Sequence, residues 1–184
     1  HYALYGGNRA TGYRSGGKQC LSSPGLFNET VAYCRTLIDH YKHESISLQP
    51  SDGYTSLCQC PLCEGKDSPD QPYRGRMSDY VWGFTVRVAN ELAKTHPQAT
   101  VSNMAYNLAW LPPVGIDKLP DNVLVGLCGG RRPTAVDPER RKEVRDLREA
   151  WKKKTSQKMV NFENYPLTAR GYWLPAFTAH TNAE

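Results

Sequence analysis

The chain has no apolar run approaching the roughly 20 residues that a membrane-crossing helix needs, so no spanning segment and no membrane partner are expected. Its first residues also lack the basic, apolar, small-residue order of a signal peptide. The start at His1 rather than methionine fits a processed precursor or an excised segment. Neither GxGxxG nor GxxxxGK[ST] occurs, which lowers the weight of the nucleotide-binding α/β proteins. No internal repeat is present. His40, His43, His96 and His180 stand at no spacing to an acid that suggests a proton relay, and they are read as surface or helix-end residues.

What is there is ordinary for one globular domain, taken as residues 1–184: 39% hydrophobic and 22% charged residues in a chain of 184. A net charge of +5 and a pI near 8.9 permit nucleic acid, acidic glycans or no charged partner at all. The charge is concentrated in ERRKEVRDLREAWKKK (139–154), which mixes both signs and places Glu149 four residues before Lys153, as in an exposed helix laced by ion pairs.

Strand-like and helix-like segments alternate. Ser23-Pro24 reads as a helix cap followed by proline in the first turn, and Phe27, Val31, Cys34, Ile38 and Tyr41 continue at helical spacing to about His43. SISLQPS (45–51) predicts a strand that ends at Asp52-Gly53, a turn pair. Val81, Phe84, Thr85, Val88 and Leu92 mark a second helix, stopped before Pro97. ATVSNMAY is a strand, and NVLVGLC (122–128) is another, apolar enough to be buried on both faces. The proline-rich link between them predicts a loop with at most a helical turn. Asp137-Pro138 opens the charged helix, with Val144, Leu147 and Trp151 facing inward. QKMVNFENYP (157–166) is the fourth strand.

Strands joined through helices imply parallel pairing and an α/β architecture. Polar and aromatic residues gather where the strands run out, the pattern of a (β/α) TIM-type barrel, although an open doubly wound sheet fits the same spacing. Four strands are half of an eight-unit barrel, so the expected fold is a partial barrel with a parallel sheet.

HYALYGGNR (1–9), QCLSSPG (19–25), Asp52-Gly53 followed by CQCPLC, TVSNMAY, NVLVGLC and a strand ending Phe-Glu-Asn, in that order, resemble a bacterial domain-of-unknown-function family. That family is grouped with the TIM-barrel glycoside hydrolases and is distantly similar to α-glucuronidases and β-N-acetylhexosaminidases. The resemblance implies a carbohydrate ligand, polysaccharide degradation and, for localisation, a secreted or periplasmic rather than cytoplasmic protein. One departure stands out: Phe162-Glu163-Asn164 occupies the place where Trp-Asp-Tyr is expected.

Glycoside hydrolysis uses two carboxyl groups, one protonating the leaving oxygen and one acting as nucleophile or base. Asp52, as the acid, and Glu163, as its partner, are the candidate pair; each also has a bland reading, as a turn former and as a structural acid. Tyr54, Tyr106, Asn107, Trp110, Asn164 and Tyr165 are candidate sugar contacts, and Arg131 is a candidate partner for a uronate carboxylate. Catalysis by this pair requires no cofactor.

Cys58, Cys60 and Cys63 are close enough in sequence to share a zinc ion, but a fourth ligand must come from elsewhere, with Cys20 the candidate. One or two disulfides are the alternative in an exported protein. Either would brace the loop after Asp52. A non-catalytic carbohydrate-binding barrel and a zinc-stabilised basic nucleic-acid module are the rival functions; nucleic acid ranks last because no compact zinc fold has this strand-helix alternation. Oligomeric state is not legible.

Overall fold

A computed structural model describes residues 1–11, 18–128 and 137–162. The chain opens with a small hairpin, β1 (Leu4–Tyr5) and β2 (Asn8–Arg9), followed by helix α1 (Pro24–Asp39). Then come β3 (Ser45–Ser47), α2 (Ser78–Ala93), β4 (Thr100–Ala105), β5 (Val123–Cys128), α3 (Pro138–Lys152) and β6 (Val160–Phe162).

Both predicted caps form. Ser23 Oγ accepts from Leu26 N at 3.3 Å, and Asp137 Oδ1 accepts from the Glu139 and Arg140 amides, so orphan N–H groups of the first turns are satisfied. Helix α1 stops at Asp39, short of the expected His43, and Lys42 then takes a left-handed φ of 58° that no helix can continue through. On α3, Glu149 pairs with Lys152 at 2.6 Å rather than with Lys153, because Lys153 is already the C-cap.

Strands β3, β4, β5 and β6 are all parallel and lie in sequence order. A doubly wound sheet reverses its strand order at a switch point. Here there is no reversal, as in one half of a (β/α) barrel. Val101, Asn103, Val123 and Val125 form the buried face under α2, where Asn103 Nδ2 donates to Thr85 Oγ1 at 2.7 Å. Helix α1 packs beside α2, and Trp151 of α3 meets Trp82 of α2 with ring centroids 4.7 Å apart, both fully buried.

The other face is half open. Strand β5 alternates buried and half-buried residues, which corrects the expectation of burial on both sides: Leu124, Gly126 and Cys128 point away from the helices. In a closed barrel that face would be the lumen, filled by side chains from further strands. Between β3 and α2, residues 48–77 contain neither strand nor α-helix, only short 3₁₀ turns at Pro61–Cys63 and Tyr73–Gly75.

Candidate functional sites: a strand-end cleft and a four-cysteine centre

The residues following β3 are stitched to β4. Leu48 N donates to Ser102 O at 2.8 Å and Gln49 Oε1 accepts from Met104 N at 2.9 Å. This holds the turn at Asp52-Gly53, where Gly53 takes φ 69° and donates its amide to Asp52 Oδ1 at 2.9 Å. The same Oδ1 accepts the Tyr106 hydroxyl at 3.1 Å, so residues from the ends of two adjacent parallel strands meet. That bond, then burial, raises the Tyr106 phenol above its usual range, since the carboxylate stabilises the O–H form. Asn107 follows with φ 54°, a left-handed conformation that asparagine tolerates better than most residues.

Beside Tyr106 lies a small crevice of about 20 Å³, room for a water molecule, lined by Gln49, Ser51, Tyr54, Met104, Tyr106 and Asn107 together with apolar residues such as Met77 and Leu108. Ser51 Oγ is shielded from solvent and has no hydrogen-bond partner among the described residues. Gln49, Ser51 and Met104 carry no signal in the sequence that marks them as crevice residues; only the strand register brings them there.

Two of the aromatic candidates are packing residues. Tyr54 is 7% exposed and its hydroxyl donates to Gln19 O at 2.7 Å, so only part of its ring reaches the crevice wall. Trp110 is 4% exposed, donates its Nε1–H to Cys128 O at 2.8 Å, and has the Arg74 and Arg140 guanidinium groups 4.5 and 5.3 Å from its ring. The apolar segment after β4 folds back under the strand ends, which removes the free ring face that sugar stacking needs. Arg131, Glu163, Asn164 and Tyr165 lie outside the described residues. His96 Nε2 faces Asp39 Oδ1 at 3.1 Å, a pairing that sequence distance concealed, beyond the opposite ends of the strands.

The second constellation is the cysteine cluster. Cys20, Cys58, Cys60 and Cys63 are all buried, with their sulfurs within 4.8 Å of one another. Cys20 Sγ lies 3.6 Å from Cys60 Sγ and 3.5 Å from Cys63 Sγ, and the latter two are 3.8 Å apart. Four sulfurs about 2.3 Å from a central zinc at tetrahedral corners would stand roughly 3.8 Å from one another, whereas a disulfide needs about 2.05 Å. The spacing therefore fits a shared ion, and all four thiols are free.

Local structure explains the convergence. Cys60 precedes the 3₁₀ turn Pro61–Cys63, Cys63 N donates to Cys60 O at 2.9 Å, and Gly65 exits the turn at φ 69°. Cys20 is brought in by the N-terminal strand pairing, its amide donating to His1 O at 2.8 Å. The hairpin closes over the loop: Gln59 N donates to Leu4 O at 2.8 Å and Leu4 N donates to Cys58 Sγ at 3.3 Å. Burial first, then hydrogen bonds from Cys63 and Cys60, pushes the Cys20 thiol far above its usual range, so without a cation the fold favours its protonated form.

A parallel half-barrel with Asp52 and Tyr106 paired at its strand ends and a buried four-thiol centre defines the class of this protein. The chain belongs to a family described as a domain of unknown function (DUF4838), whose model matches residues 1–177. No curated protein and no solved structure matches it.

Proposed function

We propose that this is a carbohydrate-acting domain of the glycoside-hydrolase type, with a polysaccharide or oligosaccharide bound across the surface at the ends of β3 and β4. The reading is carried by Asp52 and Tyr106, which follow adjacent parallel strands and hydrogen-bond to each other at the strand ends. Barrel enzymes collect their chemistry at this end of the strands. The resemblance to TIM-barrel glycoside hydrolases supports the same assignment, and with it goes the proposal of a secreted or periplasmic setting, where polysaccharides are met.

Asp52 is exposed and receives two donors on one oxygen. Asp52 is the acid of the pair in this reading, held toward the strand ends by those two bonds. Glu163 is the second carboxylate of the pair. Ser51 Oγ offers a polar atom that a ligand hydroxyl would satisfy.

The four cysteines would hold a structural zinc that stiffens the loop carrying Asp52. Zinc is the ion that tetrahedral four-sulfur sites of this kind most commonly take, and four protein ligands leave no open position for catalysis.

Binding and reducing-end release on a panel of polysaccharides test the reading. Asp52→Asn is expected to abolish turnover with fold and sugar binding retained. Binding without turnover in the unaltered protein would indicate the non-catalytic form of the barrel. Unchanged turnover in the variant removes Asp52 from the mechanism, and neither binding nor turnover by the unaltered protein refutes the carbohydrate reading.

A further inference from the structure

Four thiolates around a divalent cation leave a net charge of −2 inside the protein: M²⁺ and four thiols give the tetrathiolate ion and four protons, which leave to solvent. Buried charge of this size needs hydrogen-bond donors aimed at the sulfurs. The Ser22 backbone supplies one to Cys20, and two more come from other segments. Leu4 N points at Cys58 Sγ from 3.3 Å, and the Tyr80 hydroxyl lies 3.3 Å from Cys63 Sγ. A metal-bound thiolate can only accept, so in the loaded centre the Tyr80 O–H must be the donor.

We infer that Tyr80 is the side chain that tunes and positions the metal centre, through a hydrogen bond from its hydroxyl to Cys63 that withdraws charge from the sulfur. This rests on the metal reading given above. Tyr80 is buried in the first turn of α2, the helix that covers the sheet. The bond therefore also fastens the cysteine loop, contacted on its other side by the β1–β2 hairpin, to the body of the half-barrel. Leu4 contributes through its backbone N–H, which only proline would remove, with the hairpin disturbed at the same time. The Tyr80 hydroxyl can be removed alone.

Cobalt(II) is the probe, because its thiolate charge-transfer and ligand-field bands report sulfur ligation directly and its affinity can be set against a chromophoric chelator. The unaltered full chain should take up one ion with a tetrahedral thiolate spectrum. Tyr80→Phe keeps the ring and removes only the donor; it should bind cobalt roughly 10–100-fold more weakly, the usual range for losing an outer-shell partner. Its sulfur-to-metal charge-transfer band should move to lower energy, since a thiolate without its donor gives up electron density more readily. Tyr5→Phe is the control: its hydroxyl bonds the Ser56 carbonyl in the cysteine loop and no sulfur, so the band should stay in place.

Equal affinity and an unmoved band in Tyr80→Phe would overturn the inference while leaving the metal site standing. The same shift in both variants would also overturn it, because general loosening would then explain the effect. Failure of the unaltered chain to bind cobalt or zinc removes the metal reading, and this inference with it.

Discussion

On the proposed zinc reading, removing the ion from the cysteine centre should cost this protein a large share of its stability. Cys20 is 40 residues from Cys60, so an ion held by both closes a loop of that length. For a cross-link of about 40 residues, the chain-entropy relation gives roughly 13 cal/mol/K, or about 4 kcal/mol at 25 °C, withdrawn from the unfolded state. In a domain of this size each kcal/mol moves the melting temperature by about 2–4 °C, so the expected fall is roughly 8–16 °C. The assay is thermal unfolding followed by circular dichroism, on zinc-loaded protein in reductant, with and without a strong chelator. Cys20→Ser leaves three sulfurs close together in one loop and removes the long tie, so it should melt within the same lowered range and respond little to further chelation. If the chelator leaves the unaltered protein's melting temperature where it was, the tie is not metallic. A fall produced by reductant alone would assign the cross-link to a disulfide, against the sulfur spacing argued above.

Two further outcomes follow from buried groups elsewhere. Burial raises the Cys34 thiol from 9.0 to about 11, so the folded protein holds a proton that the unfolded chain releases first. The associated stability is fully present below about pH 9 and is lost as pH rises through 11, with a ceiling of about 3 kcal/mol for two pH units. Urea midpoints at pH 8 and at roughly pH 10.5 should converge more closely in Cys34→Ala than in the unaltered protein; an identical alkaline loss in both would refute the assignment. Thr85→Val is nearly isosteric but deprives the buried Asn103 amide of its acceptor, and should cost about 1–3 kcal/mol in urea unfolding. A neutral result would mean that Asn103 finds another partner.

The elements that were legible in the sequence are those specified by local chemistry. Ser23-Pro24 and Asp137-Pro138 start helices because capping is settled within one turn, and the inward stripe Val144, Leu147, Trp151 follows from helical period alone. Cys20 could be named as the fourth sulfur because few cysteines remained to supply one. What depended on the packing of distant segments could not be read. Tyr54 and Trp110 follow strands and look like rim residues, but the loops after β3 and β4 turn them inward to hydrogen-bond backbone carbonyls of Gln19 and Cys128. Tyr80 looks like one more residue of a helical face, and nothing local to it points to a sulfur. The N-terminal hairpin is too short to give a pattern of its own; it forms where it meets the cysteine loop.

The position of the cysteine centre follows from a physical need of the half-barrel. Residues 48–77 run from the end of β3 to the start of α2 without a regular element, far longer than the few residues that normally join a strand to the next helix. A segment of that length, left to itself, buries too little apolar surface to offset its ordering entropy, and a turn within it would not stay at one place on the rim. The segment is tied at three levels: at its beginning by Gln49 to the Met104 amide, in its middle by the four sulfurs, and at its end by Ser68 N to Arg76 O and Arg76 to Asp67. Asp52 lies between the first tie and the second. Its distance from Tyr106 is therefore set from both sides, and the centre acts on the strand-end pair through the backbone of Tyr54 to Leu57 rather than through any contact with a ligand. If the sulfurs hold zinc as proposed, the brace and the strand-end pair are one construction, and loss of the metal should loosen the carboxylate.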